Sequence, residues 1–238
     1  MNLLIIGYGK MGKTIERLAR ERGHEIVAAV DSFEELHSLL ASNPNIDVAI
    51  EFSQPDAAFQ NIKTALENKI PVVSGTTGWL DRREIIENTC RENEGTFFYA
   101  SNFSIGVNLF FKLNSFLAGL MSDQKQYQAS MKEIHHTEKL DEPSGTAITL
   151  AEGIMEKIDR IGNWTLDKAV NSSDLEIESE RIGKVPGTHI INYTSSIDRI
   201  EITHEAFGRE GFAMGALLVA EWAKDKKGVL SMDDFLSF

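Results

Sequence analysis

The sequence predicts an α/β protein built in two parts, a parallel α/β half followed by an α+β half with a mixed or antiparallel sheet. Three observations carry this. A short apolar run at the start leads straight into a glycine-rich turn and a helical pattern. Strand and helix patterns then alternate up to about residue 104. From residue 175 onward, segments rich in β-branched residues follow one another with no helix between them.

Residues 2–6, NLLII, form the apolar run, and GYGKMG follows with Gly7, Gly9 and Gly12 in the Gly-x-Gly-x-x-Gly pattern around Lys10 and Met11. Ile15, Leu18 and Ala19 continue at helical spacing to Gly23, and residues 25–30 make a second strand ending at Asp31. A glycine pattern alone is weak evidence. This one follows a strand, opens a helix and precedes an acidic residue nineteen positions beyond Gly12, the context a dinucleotide-binding turn requires. Gly7 permits the tight turn, Gly9 lets a pyrophosphate near the backbone, Gly12 lets helix and strand pack, and Asp31 accepts from ribose hydroxyls. The first half is therefore expected to be a Rossmann-like domain, with Lys10 and Met11 part of its cofactor-binding turn. Ser32 and Phe33, not an arginine, follow Asp31, so the local chemistry favours NADH over NADPH. Lys10 and Lys13 are the cations that could still reach a 2′-phosphate.

Ser32 with Glu35 forms a capping box for a helix carrying Phe33, Leu36 and Leu40. Residues 47–52 read as a strand, and Pro55 opens a helix carrying Phe59, Ile62 and Leu66. Residues 71–73 are the next strand, stopping at Ser74-Gly75-Thr76-Thr77-Gly78; a helix over 82–91 and a strand over 96–100 complete the alternation. Ligands of open α/β sheets lie outside the carboxyl ends of the strands. Gly75, Thr76 and Thr77, with Ala100, Ser101, Asn102 and Phe103, are thus expected to flank the nicotinamide.

The second half begins with a helix over 109–120 and a strand over 127–134 that delivers the stretch EIHHTEKLDEPSGTA, residues 133–147. Ala147, Leu150, Ala151, Ile154 and Ile158 recur at helical spacing, so a helix should start near residues 144–146, where Ser144 can cap and Gly145 lets N–H groups approach a ligand. His135, His136 and Lys139 lie just upstream, giving an anion site with proton donors built in. Neighbouring strand residues face opposite ways, so the two histidines should have different tasks. Strands over 175–182, 188–194 and 199–204, the last two joined by a turn at 196–198, build the second sheet. Glu201, Thr203 and His204 are read as a polar face, either an interface or the floor of a site, and a one-sided sheet suggests an oligomer. Arg181, Lys184 and Arg209 read as solvated cations. The helix over 211–224 is expected to return to the first domain, dividing the chain into 1–104 with 209–238 and 105–208.

The formal net charge of −12 over 238 residues argues against nucleic-acid or anionic-membrane partners, leaving a small anionic ligand held by local cations. The single cysteine, Cys90, excludes an internal disulfide and a thiolate metal cluster, and no metal is expected. No apolar run approaches a membrane span, and the first residues lack a signal-peptide pattern, so a soluble cytoplasmic protein is expected.

Taken in order, GYGKMG, Glu51-Phe52-Ser53, SGTTG, ASNFSIGVN, EIHHTEKLDEPSGTA, KVPGTH and EITHEAFGREGFAMGA resemble the 4-hydroxy-tetrahydrodipicolinate reductase (dihydrodipicolinate reductase) family across nearly the whole chain. The resemblance implies an NAD(P)H-dependent reduction of a cyclic imine dicarboxylate in lysine and diaminopimelate biosynthesis. It implies His135 as proton donor or acceptor, Lys139 as proton donor, and His136, Gly145 and Thr146 as carboxylate-binding residues. It further implies Gly75 to Thr77 and Ala100 to Phe103 at the cofactor, and a homotetramer built through the second domain's sheet. The chain is short after Asp31, where members often carry a longer loop that senses the cofactor. An amino-acid or polyol dehydrogenase and a non-catalytic NAD(H) sensor are the rival readings; the dehydrogenase does not account for the Pro-Ser-Gly-Thr turn behind the histidines, and the acidic charge disfavours a DNA-binding sensor.

Overall fold

The computed structural model describes residues 1–168, 171, 173–208 and 210–237, so Arg209 lies outside the described residues. The chain divides into two compact units, Met1–Ile105 with Glu210–Phe238, and Gly106–Arg209. The first runs β1 (Asn2–Ile6), α1 (Lys10–Glu21), β2 (Glu25–Val30), α2 (Phe33–Ala41), β3 (Val48–Glu51), α3 (Pro55–Glu67), β4 (Val72–Ser74), a 3-10 turn (Leu80–Arg82), α4 (Arg83–Glu92) and β5 (Thr96–Tyr99). The second unit holds α5 (Ile105–Met121), β6 (Gln128–His135), α6 (Gly145–Met155), β7 (Asn163–Leu166), β8 (Asp174–Arg181), β9 (Gly187–Thr194) and β10 (Arg199–Ala206). The chain then returns to the first unit as α7 (Glu210–Ala223), β11 (Gly228–Leu230) and α8 (Met232–Leu236).

The first unit's sheet has the order β11-β5-β4-β3-β1-β2, every pairing parallel. Parallel strands are covered on both faces, and successive side chains feed two cores. Leu3, Ile5, Ile50, Val73 and Phe98 pack with Ile15 and Leu18 of α1 and Leu217 and Ala220 of α7. Leu4, Ile6, Ala49, Val72 and Phe97 pack with Leu36, Ile62, Leu66 and Ile86. Cys90 belongs to this second core, fully buried, where desolvation pushes its thiol up and keeps it unreactive.

The second unit's sheet, ordered β10-β9-β6-β8-β7, is mixed: β6 runs parallel to β8 and antiparallel to β9. Met131, Leu175, Ile177, Ile191 and Tyr193 form its inner face against Phe110, Ala118 and Met121 of α5 and Ala147, Leu150 and Ile154 of α6. α5 begins four residues before the apolar pattern at 109 suggests, and α6 stops at Met155 although Ile158 beyond it is still fully buried. Glu201, Thr203 and His204 do not share a face. The pleat leaves Glu201 and Thr203 exposed and turns His204 the other way, its ring 5.8 Å from that of Phe110. Strands β7 and β11 and helix α8, three to five residues each, carry too little periodicity to be predicted.

Candidate functional site

In the first unit, the residues expected to hold a dinucleotide gather at the carboxyl ends of the parallel strands. Gly7 has φ +92, and a Cβ there would lie 2.1 Å from the Phe52 carbonyl oxygen; a Cβ on Gly12 would lie 2.2 Å from that of Gly7. Both positions require glycine, one for the turn and one for the approach of α1. Gly9, the N-cap of α1, makes no side-chain cap, and a Cβ there would meet nothing within 4 Å. The space beside Gly9 is open at the positive end of the helix dipole, where the first-turn N–H groups lie, a cradle that fits a pyrophosphate.

Asp31 is exposed, its Oδ1 accepting the Tyr8 N–H at 2.8 Å, which ties the acid to the glycine turn. The capping box is redirected: Ser32 Oγ accepts from Glu35 N at 3.2 Å, but the Glu35 carboxylate accepts from Asp31 N at 2.8 Å. A second negative charge thus sits beside Asp31, while the Lys13 ammonium lies 5.5 Å from the Tyr8 ring centroid.

Met11, Phe52, Ser53, Gly75, Thr76 and Thr77 line a cleft of about 260 Å³. Ala100, Ser101, Asn102 and Phe103 form the turn after β5 and do not line it. The Phe103 side chain belongs to the core. It is 2 % exposed and packs on Phe52 and Phe98 at ring distances of 5.5 and 5.8 Å, leaving only its backbone for a ligand. One organiser escaped the sequence reading. Fully buried Glu51 accepts from Ser53 N (3.0 Å), Ser53 Oγ (2.5 Å), Ser74 Oγ (2.6 Å) and Thr76 Oγ1 (2.8 Å), fixing the turn after β3 to the turn after β4. Its only signal was a carboxylate ending an otherwise apolar strand.

In the second unit, strand alternation puts Glu133 and His135 on the covered face of β6 and His136 beyond its end. His136, half-buried, lines a cavity of about 610 Å³ with Thr137, Glu138, Gly183, Lys184 and Pro186. Lys139 donates to both carboxylate oxygens of Asp141 at 2.7 Å, which holds the Asp141 carboxyl below its ordinary range. Ser144 caps α6 by accepting from Ala147 N at 3.2 Å. The N–H groups of Gly145 and Thr146 then have no protein acceptor among the described residues, and a Cβ on Gly145 would meet nothing within 4 Å.

The sequence reading missed what lies beneath these residues. Glu133 is fully buried, and both its oxygens accept from Ser144 N at 3.1 Å. Oε1 also accepts from Ser179 Oγ at 2.6 Å and from the Arg181 guanidinium at 3.2 Å. His135 Nδ1 lies 3.4 Å and His189 Nε2 3.7 Å from Oε2, with the two rings edge-on at 5.1 Å. Burial is the largest influence on Glu133 and would raise its carboxyl. The bonds from Ser144 and Ser179 and the charge of His135 outweigh it and hold the group low. Burial pushes His135 below its ordinary value against the pull of Glu133, and pushes His189 down to about 4. The ligand atoms of Glu133, His135 and His189 lie within 4.8 Å of one another. Arg181 already places positive charge on the carboxylate, so the cluster suits protons and not a metal cation.

The comparisons with known proteins agree with one another. The family model for the N-terminus of dihydrodipicolinate reductase matches residues 1–103, and that for its C-terminus matches residues 106–236. A 4-hydroxy-tetrahydrodipicolinate reductase of Christiangramia forsetii is 51% identical over 237 residues, covering 100% of this chain and 98% of the relative. One of Archaeoglobus fulgidus is 35% identical, covering 96% of each chain. A solved structure, a dipicolinate-bound dihydrodipicolinate reductase from Paenisporosarcina sp. TG-14, superposes with a TM-score of 0.81 over 99% of both chains; at 22% identity this shows the shared fold.

Proposed function

This chain belongs to the dihydrodipicolinate reductase family, and on that premise we propose that it reduces 4-hydroxy-tetrahydrodipicolinate to tetrahydrodipicolinate in lysine and diaminopimelate biosynthesis. The substrate gains a hydride and a proton and loses water. When bound, a reduced nicotinamide dinucleotide supplies the hydride.

The chain's own residues bind, orient and move protons. The Gly9 turn and the first turn of α1 hold the pyrophosphate, with Lys10 and Met11 beside it, and Asp31 accepts from ribose hydroxyls. Gly75, Thr76 and Thr77, with Ala100, Ser101, Asn102 and the Phe103 backbone, hold the nicotinamide end. Glu35 beside Asp31 and the absence of arginine at positions 32 and 33 disfavour a 2′-phosphate, which supports NADH over NADPH. In the second unit, His136 and the N–H groups of Gly145 and Thr146 take a substrate carboxylate, and Lys139 exchanges Asp141 for the substrate before giving a proton. His135 handles the second proton position.

The observation that carries this reading is the start of α6. The Gly145 and Thr146 N–H groups have no protein acceptor among the described residues, and a Cβ on Gly145 would meet nothing within 4 Å, on a turn fixed by Glu133 to the strand that ends at His135. The test is nicotinamide oxidation with substrate generated in place by the preceding synthase from pyruvate and aspartate semialdehyde. Rapid oxidation that depends on the synthase, faster with NADH than NADPH, is expected; none with either cofactor, despite measurable NADH binding, overturns the reading.

The reading extends to a cytoplasmic homotetramer assembled through the mixed sheet. Among the described residues no helix is long and apolar enough to cross a membrane. Sedimentation at the mass of four chains tests the assembly.

A further inference from the structure

The mixed sheet lines up chemistry across its strands. Glu133 on β6 pairs in register with Ser179 on β8 and with His189 on β9, and His189 pairs in turn with His204 on β10. Two residues along, His135 pairs with Arg181. On its other side stands Gly187, where a Cβ would lie 3.1 Å from His135 Nε2. The ring therefore occupies space that exists because no side chain grows from position 187.

The Glu133 carboxylate reaches Ser179, Arg181, His135 and His189 in this arrangement. Its oxygens take the Ser144 N–H that fixes the start of α6, the Ser179 hydroxyl and the Arg181 guanidinium, and Arg181 also donates to the Asp141 carbonyl at 2.7 Å in the loop that bears Lys139. His135 Nδ1 is buried with no hydrogen-bond partner among the described residues, and Glu133 Oε2, at 3.4 Å, faces it. We propose that Glu133 is a positioning residue for the proton transfer, holding the His135 ring and the turn at residues 144–146 in one register through a single carboxylate.

The proposal rests on the reading of His135 as a proton-handling group. The long contact to Oε2 shortens when the ring is protonated, because the imidazolium Nδ1–H then faces a carboxylate. The Nε2–H is left to donate: its proton passes to the substrate, and the ring returns to the neutral Nδ1–H tautomer, which takes its next proton from solvent at Nε2. The charged groups facing the pair are Arg181 from β8, His189 from β9 with His204 behind it on β10, and Lys139 and Asp141 from the loop after β6; α6 contributes the Ser144 N–H. Lys139 and Arg181 disfavour a protonated His135, while Asp141 and Glu133 favour it, Glu133 the more strongly.

Glu133→Gln removes the charge but keeps an acceptor for Ser144 N. The expected result is NADH binding equal to wild type, kcat lowered about tenfold or more near neutral pH, and the pH limb set by His135 protonation moved down by about one unit. Glu133→Asp, which restores the charge, should return that limb toward its wild-type position. A wild-type pH profile in Glu133→Gln, even with a lowered melting temperature, overturns the proposal and leaves Glu133 a structural residue. Should Glu133→Gln fail to fold, the nitrogen chemical shifts of His135 in the wild-type protein decide the matter: the neutral Nδ1–H tautomer supports the proposal, and a predominant Nε2–H tautomer overturns it. Absence of turnover in the wild type strikes the proposed function instead, and the tautomer measurement still judges Glu133.

Discussion

The two sheets offer ligands different parts of the chain. In the parallel sheet the candidate site is mostly backbone, with turns at the strand ends and the start of α1 left without a side-chain cap at Gly9, and its side chains serve mainly to fix those turns, as Glu51 does. In the mixed sheet the candidate site is mostly side chain, its members brought into rows by the register of β8, β6 and β9. The backbone site should tolerate changes of charge and fail when a Cβ is added. The side-chain site should tolerate small changes of volume and fail when a charge or a proton is lost.

The largest expected effect breaks the backbone site alone. Gly12→Val puts a branched side chain where even a Cβ would lie 2.2 Å from the Gly7 carbonyl oxygen, and NADH binding, followed by fluorescence titration, should fall below detection. Next come His135→Ala and Lys139→Ala, which should leave NADH affinity near wild type and lower kcat by about 10² to 10⁴, the range for general acid–base groups. Unchanged kcat in both would remove the contrast.

A smaller effect concerns stability in acid. His189 is pushed from 6.5 to about 4 in the folded state, so the unfolded chain binds the proton first as pH falls. The stability this neutral, buried ring permits is present above pH 6.5 and is lost progressively as pH falls toward about 4. His189→Gln should flatten the decline in melting temperature across that window; an equally steep decline would place the acid sensitivity elsewhere. The smallest effect sharpens the cofactor reading. Ser32→Arg supplies a cation beside Asp31 and should improve kcat/KM for NADPH relative to NADH about tenfold, the scale of one charged hydrogen bond.

Much of the first unit was legible because its signals are local. Strands β1 and β2 begin and end where the apolar runs do, and α3 starts at Pro55. The start of α6 was equally readable, since Ser144 caps it through a bond only three residues away. Other features depended on neighbours distant in sequence. Nothing in the stretch Ala100-Ser101-Asn102-Phe103 marks the Phe103 ring as core, yet Phe52 and Phe98 enclose it. His204 reads as part of a polar face, yet Phe110 meets it on the other side of the pleat.

The sequence by itself determined the two-part α/β plan, the glycine turn that opens α1 and the capped start of α6 shortly after His135, His136 and Lys139, because periodicity, capping and steric freedom act over a few residues. Only the tertiary structure decided that Glu133 would lie between Ser179 and His189 and beneath Ser144. Strand pairing is set by burial across the whole sheet, and partners 46 and 56 residues from Glu133 along the chain leave no local trace of their register.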